Sequence, residues 1–155
     1  MPAGSKNEGF INDELADISD QHDYGSSWLA EAWRNVAQIY KNNYLKNHPS
    51  ASVLRMNDIS LPRGGPTPSH ASHQSGMCCD IKLPKLNGQA GGITYQDIQY
   101  DQLTARAMLE AMRRYPQTTR IFFNDLALVG EGLCQALSGH DNHIHFEIKP
   151  PARKL

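Results

Sequence analysis

Two short runs in this 155-residue chain hold the residue types that do chemistry. The first is Ser72-His73-Gln74-Ser75-Gly76-Met77-Cys78-Cys79-Asp80, which reads H-x-x-G-x-x-x-D. The second is Gly139-His140-Asp141-Asn142-His143-Ile144-His145-Phe146, which contains H-x-H. Five of the seven histidines fall in or beside these runs. Imidazoles with one carboxylate form the ligand set that zinc takes when it keeps one position open for water. The chemistry this points to is metal-assisted hydrolysis.

Either motif alone is weak evidence, because H-x-H arises by chance and a lone histidine in a loop is ordinarily solvated. His22 and His48 are read in that bland way. Both motifs in one short chain, each at a strand or bend, favour a shared metal. If 142–148 is a strand, His143 and His145 point to one face and Ile144 and Phe146 to the other. Their Cα atoms then lie roughly 6.5 Å apart, so one can reach a metal while its neighbour stands over the pocket. Both could also bind, and spacing alone assigns no roles. His73 and Asp80 are at odd spacing and would face apart on a straight strand. A bend at Gly76, which accepts backbone angles other residues avoid, lets them converge. His73, Asp80 and His145 would then supply two nitrogens and one oxygen, and a water in the fourth place would titrate near pH 7, as zinc-bound water does. No H-E-x-x-H glutamate is present to act as base.

The elements that must position these residues follow from patterning. Ser26 or Ser27 can cap a helix in which Trp28, Leu29, Ala32, Val36, Ile39, Tyr40 and Leu45 recur at near-helical spacing, ended by His48-Pro49. Residues 52–56 alternate like a strand. Residues 61–69, with two glycines and three prolines, form a loop. An extended segment over 73–83 is broken by Gly76, and a glycine-rich loop spans 84–92. A second helix runs from Tyr100 or Asp101 through Arg114, with an acid for its first turn and basic residues for its last. Residues 120–123 are a short apolar strand, 126–137 are partly helical, and 142–148 close the fold. This order predicts an α+β single domain with a small, largely antiparallel sheet and flanking helices. Residues 1–22 read as a polar leader, loosely ordered or laid over the surface, and 23–155 as the functional domain.

Composition narrows the class. A net charge of -1 and the absence of a basic run argue against nucleic acid and against a membrane surface as partners. No apolar stretch is long enough to span a bilayer, and no signal peptide is visible. Three cysteines leave two readings open: one of the adjacent Cys78 and Cys79 pairs with Cys134, or all are buried free thiols. Cys78 would point the same way as Asp80, but it packs more readily as a small apolar side chain than as a ligand. The loop around Gly88, Gly91 and Gly92 lacks the G-K-S/T of a phosphate cradle and reads as a surface wall. Arg55 and Arg63 could meet substrate carboxylates, although either alone reads first as a solvated surface residue. Asp58 and Asp141 could orient histidines or cap turns.

The runs Asp58-Ile59-Ser60, Arg63-Gly64-Gly65, His70, Ser72 to Gly76 with Asp80, and Gly139 to Phe146 together resemble the penicillin-insensitive murein endopeptidases. These are LAS-type metallopeptidases, grouped with lysostaphin and the D-Ala-D-Ala carboxypeptidases. Weaker similarity at Asp23-Tyr24-Gly25 and Tyr100-Asp101 extends it from about Asp23 to Pro151. The resemblance implies an α+β domain around a small antiparallel sheet, with one zinc ion on His73, Asp80 and His145. It makes His143 the general base or transition-state stabiliser, lines the site with His140, and puts His70 beside it, a substrate-binding position we also assign to Arg63. It implies cleavage of D-alanine–meso-diaminopimelate cross-links in peptidoglycan without a serine nucleophile. Manganese or iron would accept the same ligands, though zinc is the default.

The expected partners are peptidoglycan stem peptides, and the expected place of action is the periplasm or cell wall. Without a visible signal, a phage lysin or a wall-degrading effector exported by a signal-independent route is expected, the latter with a possible immunity protein; the chain is expected to be a monomer. Rival readings are a D,D- or L,D-carboxypeptidase on the same site, and a non-catalytic zinc-held wall-binding module. Cys78-Cys79 directly before Asp80 departs from the family pattern.

Overall fold

The computed structural model describes residues 1–17, 21–66 and 72–152. Six strands form one mixed sheet in the order β1-β2-β3-β4-β6-β5. They are β1 (Gly4–Ser5), β2 (Phe10–Asn12), β3 (Leu54–Met56), β4 (Cys78–Lys82), β5 (Thr118–Phe122) and β6 (His143–Ile148). All pairings are antiparallel except β2 with β3. Three helices accompany the sheet: α1 (Ser27–Tyr40), α2 (Gln102–Arg113) and the short α3 (Leu126–Gly130). The architecture is α+β, as the sequence pattern predicts.

Local chemistry sets the helix limits. The Ser26 hydroxyl accepts from the Leu29 N–H, which selects Ser26 over Ser27 as the cap of α1. Asp101 caps α2 by accepting from the Thr104 N–H. Asp125 caps α3 by accepting from the Ala127 and Leu128 N–H groups. Past Tyr40 the first helix widens into a π-helical turn over Lys41–Leu45.

The core lies between one face of the sheet and helices α1 and α2. Leu29, Ala32, Trp33, Val36, Ala37 and Tyr40 form the buried stripe of α1, at the spacing of a single helical face. Trp33 meets Phe10 edge-on at 6.2 Å and Phe146 at 6.3 Å between ring centres. Met108, Leu109 and Met112 of α2 complete the cluster. The sheet's inward residues are Phe10, Leu54, Met56, Cys79, Ile81, Ile121, Ile144, Phe146 and Ile148.

Three sequence readings need correction or refinement. Residues 4–12 are not loosely laid on the surface: they form β1 and β2, and Phe10 is buried. A parallel, non-local pairing of Phe10, Ile11 and Asn12 with Leu54, Arg55 and Met56 holds them, and so short a strand leaves no periodic trace. His22 is buried rather than solvated, its carbonyl accepting from the Ile59 and Ser60 N–H groups. His48 is exposed as expected, its ring stacked on Tyr44 at 4.1 Å. All three cysteines are free and buried.

Candidate metal centre

The side chains that could hold an ion come from a turn and two adjacent strands. In the β4–β6 ladder Asp80 sits opposite His145 and Lys82 opposite His143. Residues opposite each other in an antiparallel pair point to the same face. Asp80, His143 and His145 therefore share the face turned away from α1, while Cys79, Ile81, Ile144 and Phe146 fill the core. His73 reaches this face from the turn before β4. Gly76 has a φ of +65°, and a Cβ there would come within 2.9 Å of the Ser26 backbone nitrogen. The Ser26 N–H donates to the Gly76 carbonyl, so the turn is docked on the start of α1 and His73 folds back over Asp80.

Three donor atoms converge. His73 Nε2 lies 3.2 Å from Asp80 Oδ1 and 3.3 Å from His145 Nδ1, and His145 Nδ1 lies 3.0 Å from Asp80 Oδ1. All three side chains are buried. His73 Nδ1 is 2.6 Å from the Ile59 carbonyl, which can only accept, so Nδ1 carries a proton and the neutral ring turns its Nε2 lone pair inward. His145 Nε2 is 3.5 Å from Ser72 Oγ and 3.9 Å from Glu147 Oε2, partners that support the same orientation for this ring. Three electron-rich atoms this close, out of water, are stabilised by a shared proton or a cation between them. Tetrahedral ligands about 2.0–2.1 Å from one zinc ion are about 3.3 Å apart, close to the observed edges. The donor set therefore fits a small divalent cation.

The electrostatics agree. Burial pushes the Asp80 carboxyl up, but the His145 and His73 rings beside it outweigh this and hold the carboxyl well below the usual carboxylate range. Burial lowers the affinity of His73 for a proton, and the Asp80 carboxylate more than reverses this. The cluster attracts positive charge even where the only cation offered is a proton.

Cys78 lies on the same face, and its Sγ and ring nitrogens of His73 and His145 are all within 4.8 Å of one another, so this buried group could hold a metal ion. The thiol donates to the Ser72 carbonyl at 3.3 Å, and burial pushes its pKa up to about 12. Asp80 Oδ1, at 3.2 Å from His73 Nε2 and 3.0 Å from His145 Nδ1, offers an alternative third donor.

His143 stands beside the triangle, with Nε2 3.6 Å from Asp80 Oδ2. Its Nδ1 is 2.7 Å from Asn142 Oδ1, an amide oxygen that accepts, which leaves Nε2 unprotonated in the neutral ring. Burial lowers its pKa, and the neighbouring imidazoles add to this against the pull of Asp80. His140 lies next to it, ring centres 4.8 Å apart, anchored through Nδ1 to the Leu137 and Ser138 carbonyls at 3.2 Å. The structure thus brings His73, Asp80, His140, His143 and His145 together. Arg63 lines a hollow of about 350 Å³ with Tyr24, Gln74 and Ser75, the last two directly following His73 in the chain. His70 lies outside the described residues.

Among the secondary candidates, Asp58 lies 3.8 Å from His22 Nδ1, and its charge helps raise the pKa of His73. Asp141 accepts from Asn124 Nδ2 at 2.6 Å and so holds the loop before β6. Arg55 is committed to Asp13, which it meets through both Nε and Nη2.

Phe122 is a neighbour the sequence reading did not single out. Its ring stacks on His145 at 5.7 Å and lies 5.5 Å from His140. A register shift between Thr118 and Arg120 places it opposite His145, and no motif marks such a shift. Glu147 could have been found, since two residues beyond His145 on a strand is the same face.

The family described as penicillin-insensitive murein endopeptidase matches residues 17–126. The chain belongs to that family. The match makes it a member of a peptidase, hence hydrolase, family directed at murein. Its span includes His73 and Asp80 and ends before His140, His143 and His145, of which His143 and His145 join the site through the β4–β6 register. No curated protein matches the chain. No helix among the described residues is long and apolar enough to cross a membrane.

Proposed function

We propose that this murein endopeptidase family member is a zinc-dependent enzyme that cleaves D-alanine–meso-diaminopimelate cross-links between peptidoglycan stem peptides in the periplasm or wall. The observation that carries this reading is the buried triangle of His73 Nε2, Asp80 Oδ1 and His145 Nδ1, with edges of 3.0–3.3 Å, beside His143 and His140. His73, Asp80 and His145 would hold the ion. When bound, zinc supplies a Lewis acid that polarises the scissile carbonyl and acidifies a water.

The remaining work falls to the chain. His143, kept unprotonated at Nε2, accepts the proton of the attacking water and hands it to the leaving amine. His140, fixed at Nδ1, turns its other edge to the substrate beside His143. Phe122 covers one side of His145 and keeps water from that ring. Asn142 holds the His143 ring through Nδ1. Arg63 and His70 are assigned to substrate binding. No step needs a serine nucleophile, so a β-lactam that acylates serine enzymes has no target here. A monomer delivered as a phage lysin or exported effector, the latter with an immunity protein, suits this activity.

A digest of purified cross-linked muropeptide dimers, run with and without chelator and with penicillin, tests the reading. Dimers should fall to monomers, chelator should stop this, and penicillin should not. Trimming of monomers with dimers left intact would instead assign a carboxypeptidase. Wall binding with no soluble product would assign a binding module.

A further inference from the structure

A second concavity lies at the end of the sheet where β3 begins and β4 ends. It is a groove of about 910 Å³ whose lining includes Lys6, Lys41, Lys46 and Arg55 and no Asp or Glu. The whole chain carries a net charge of -1, so this concentration of positive charge is local. Lys41 and Lys46 follow α1, where cations offset the helix dipole. That accounts for neither Lys6, which comes from the turn between β1 and β2, nor the groove itself.

The walls are held in place. Gly88 has a φ of +78°, and a Cβ there would come 2.2 Å from the Ser50 carbonyl oxygen, so the 87–90 wall is seated directly on the 49–53 wall. Lys41 Nζ donates to the Asn7 carbonyl, tying the β1–β2 turn to the end of α1. Arg55 is partly neutralised by Asp13, which also accepts from Lys82 Nζ at 3.0 Å. Lys6 and Lys46 are exposed and meet no carboxylate among the described residues.

One lining residue of the groove, Arg55, lies on β3, the strand next to the one that carries Asp80. Met56 pairs with Ile81, which puts Arg55 opposite Lys82 in the antiparallel ladder. Lys82 is two residues from Asp80 on the same face, about 7 Å along the strand. An extended peptide advances about 3.3 Å per residue, so a chain lying over the histidines reaches the mouth of the groove within a few residues.

We infer that this groove is an anion-binding subsite that takes the free carboxylates of a peptidoglycan stem peptide while the linked part of the substrate lies over His143 and His145. The inference rests on the proposed function and adds a second point of attachment to it. Carboxylates are favoured over phosphate because the peptide that reaches the metal centre carries them on the same chain. The site offers mobile lysine ammonium groups, point charges suited to flexible carboxylates, with Asn87 and Gln89 beside them.

The test is equilibrium binding of the disaccharide-tripeptide, which has no D-alanine bond to cut, to the zinc-loaded full chain. The Lys6→Gln/Lys46→Gln double variant should raise Kd roughly five- to tenfold at low salt, and the gap should close at high salt. Amidating the tripeptide carboxylates should produce the same loss in the wild-type protein. Lys6→Gln alone should show part of the effect, and unchanged melting curves would confirm folding. An unchanged Kd in the double variant overturns the inference, as does inorganic polyphosphate displacing the tripeptide at far lower concentration. Failure of the proposed function reads out separately: dimers then stay uncut while tripeptide binding still depends on Lys6 and Lys46.

Discussion

The two faces of the β4–β6 pair are built from alternate residues of the same ten-residue surface yet obey opposite rules. Cys79, Ile81, Ile144 and Phe146 face α1 and are buried among apolar side chains. Asp80 and His145 are as deeply buried on the other side, but among polar atoms that point at one another. The apolar face gains from exclusion of water. The polar face bears a desolvation cost that hydrogen bonds or a bound cation would have to offset. Even the adjacent cysteines divide this way: Cys79 belongs to the core, and Cys78 lies with the imidazoles. Neighbours on a strand point apart, which is why these two thiols stay unbridged.

The comparison is sharpest where substitutions on the two faces have opposite consequences. On the polar face, Asp80→Ala or His145→Ala should remove the ion and reduce muropeptide cleavage to background while the circular dichroism spectrum stays native. His143→Ala should come next, keeping the metal but lowering kcat by about 10²–10⁴-fold, the usual worth of a positioned acid–base group. On the apolar face, Phe146→Ala should cost about 3–5 kcal/mol in denaturant unfolding, since the side chain is fully buried against Trp33, and the surviving folded fraction should still bind metal. Smallest is the cysteine contrast. Cys79→Ser buries a hydroxyl among apolar atoms and should cost about 1–3 kcal/mol. Cys78→Ser can keep the bond to the Ser72 carbonyl and should cost less than about 1 kcal/mol. Equal losses from the two serine variants would show that the two thiols do not lie on different faces.

What could be read in the sequence was whatever repeats or caps locally. The H-x-H alternation placed His143 and His145 together because strand side chains alternate regardless of context. Ser26 and Asp101 marked helix starts because capping is a short-range hydrogen bond. Gly76 marked the bend that returns His73 because its position requires a positive φ. What stayed hidden depends on pairing between distant segments. The parallel docking of Phe10 on Leu54, the shift that aims Phe122 at His145, and the Ile59 carbonyl that fixes the tautomer of His73 leave no mark in their own neighbourhoods. Asp13, bridging Arg55 and Lys82, was likewise lost inside a stretch read only as polar leader.

If His73, Asp80 and His145 together grip one divalent cation while His143 stands free of it, metal should be lost with any of the first three side chains and kept without the last. Metal content per chain, measured on the wild-type protein and on His73→Ala, Asp80→Ala, His145→Ala and His143→Ala after purification with zinc, tests this most directly. One zinc is expected in the wild type and in His143→Ala, and almost none in the other three. Full zinc content with undiminished hydrolysis in those three variants would contradict it.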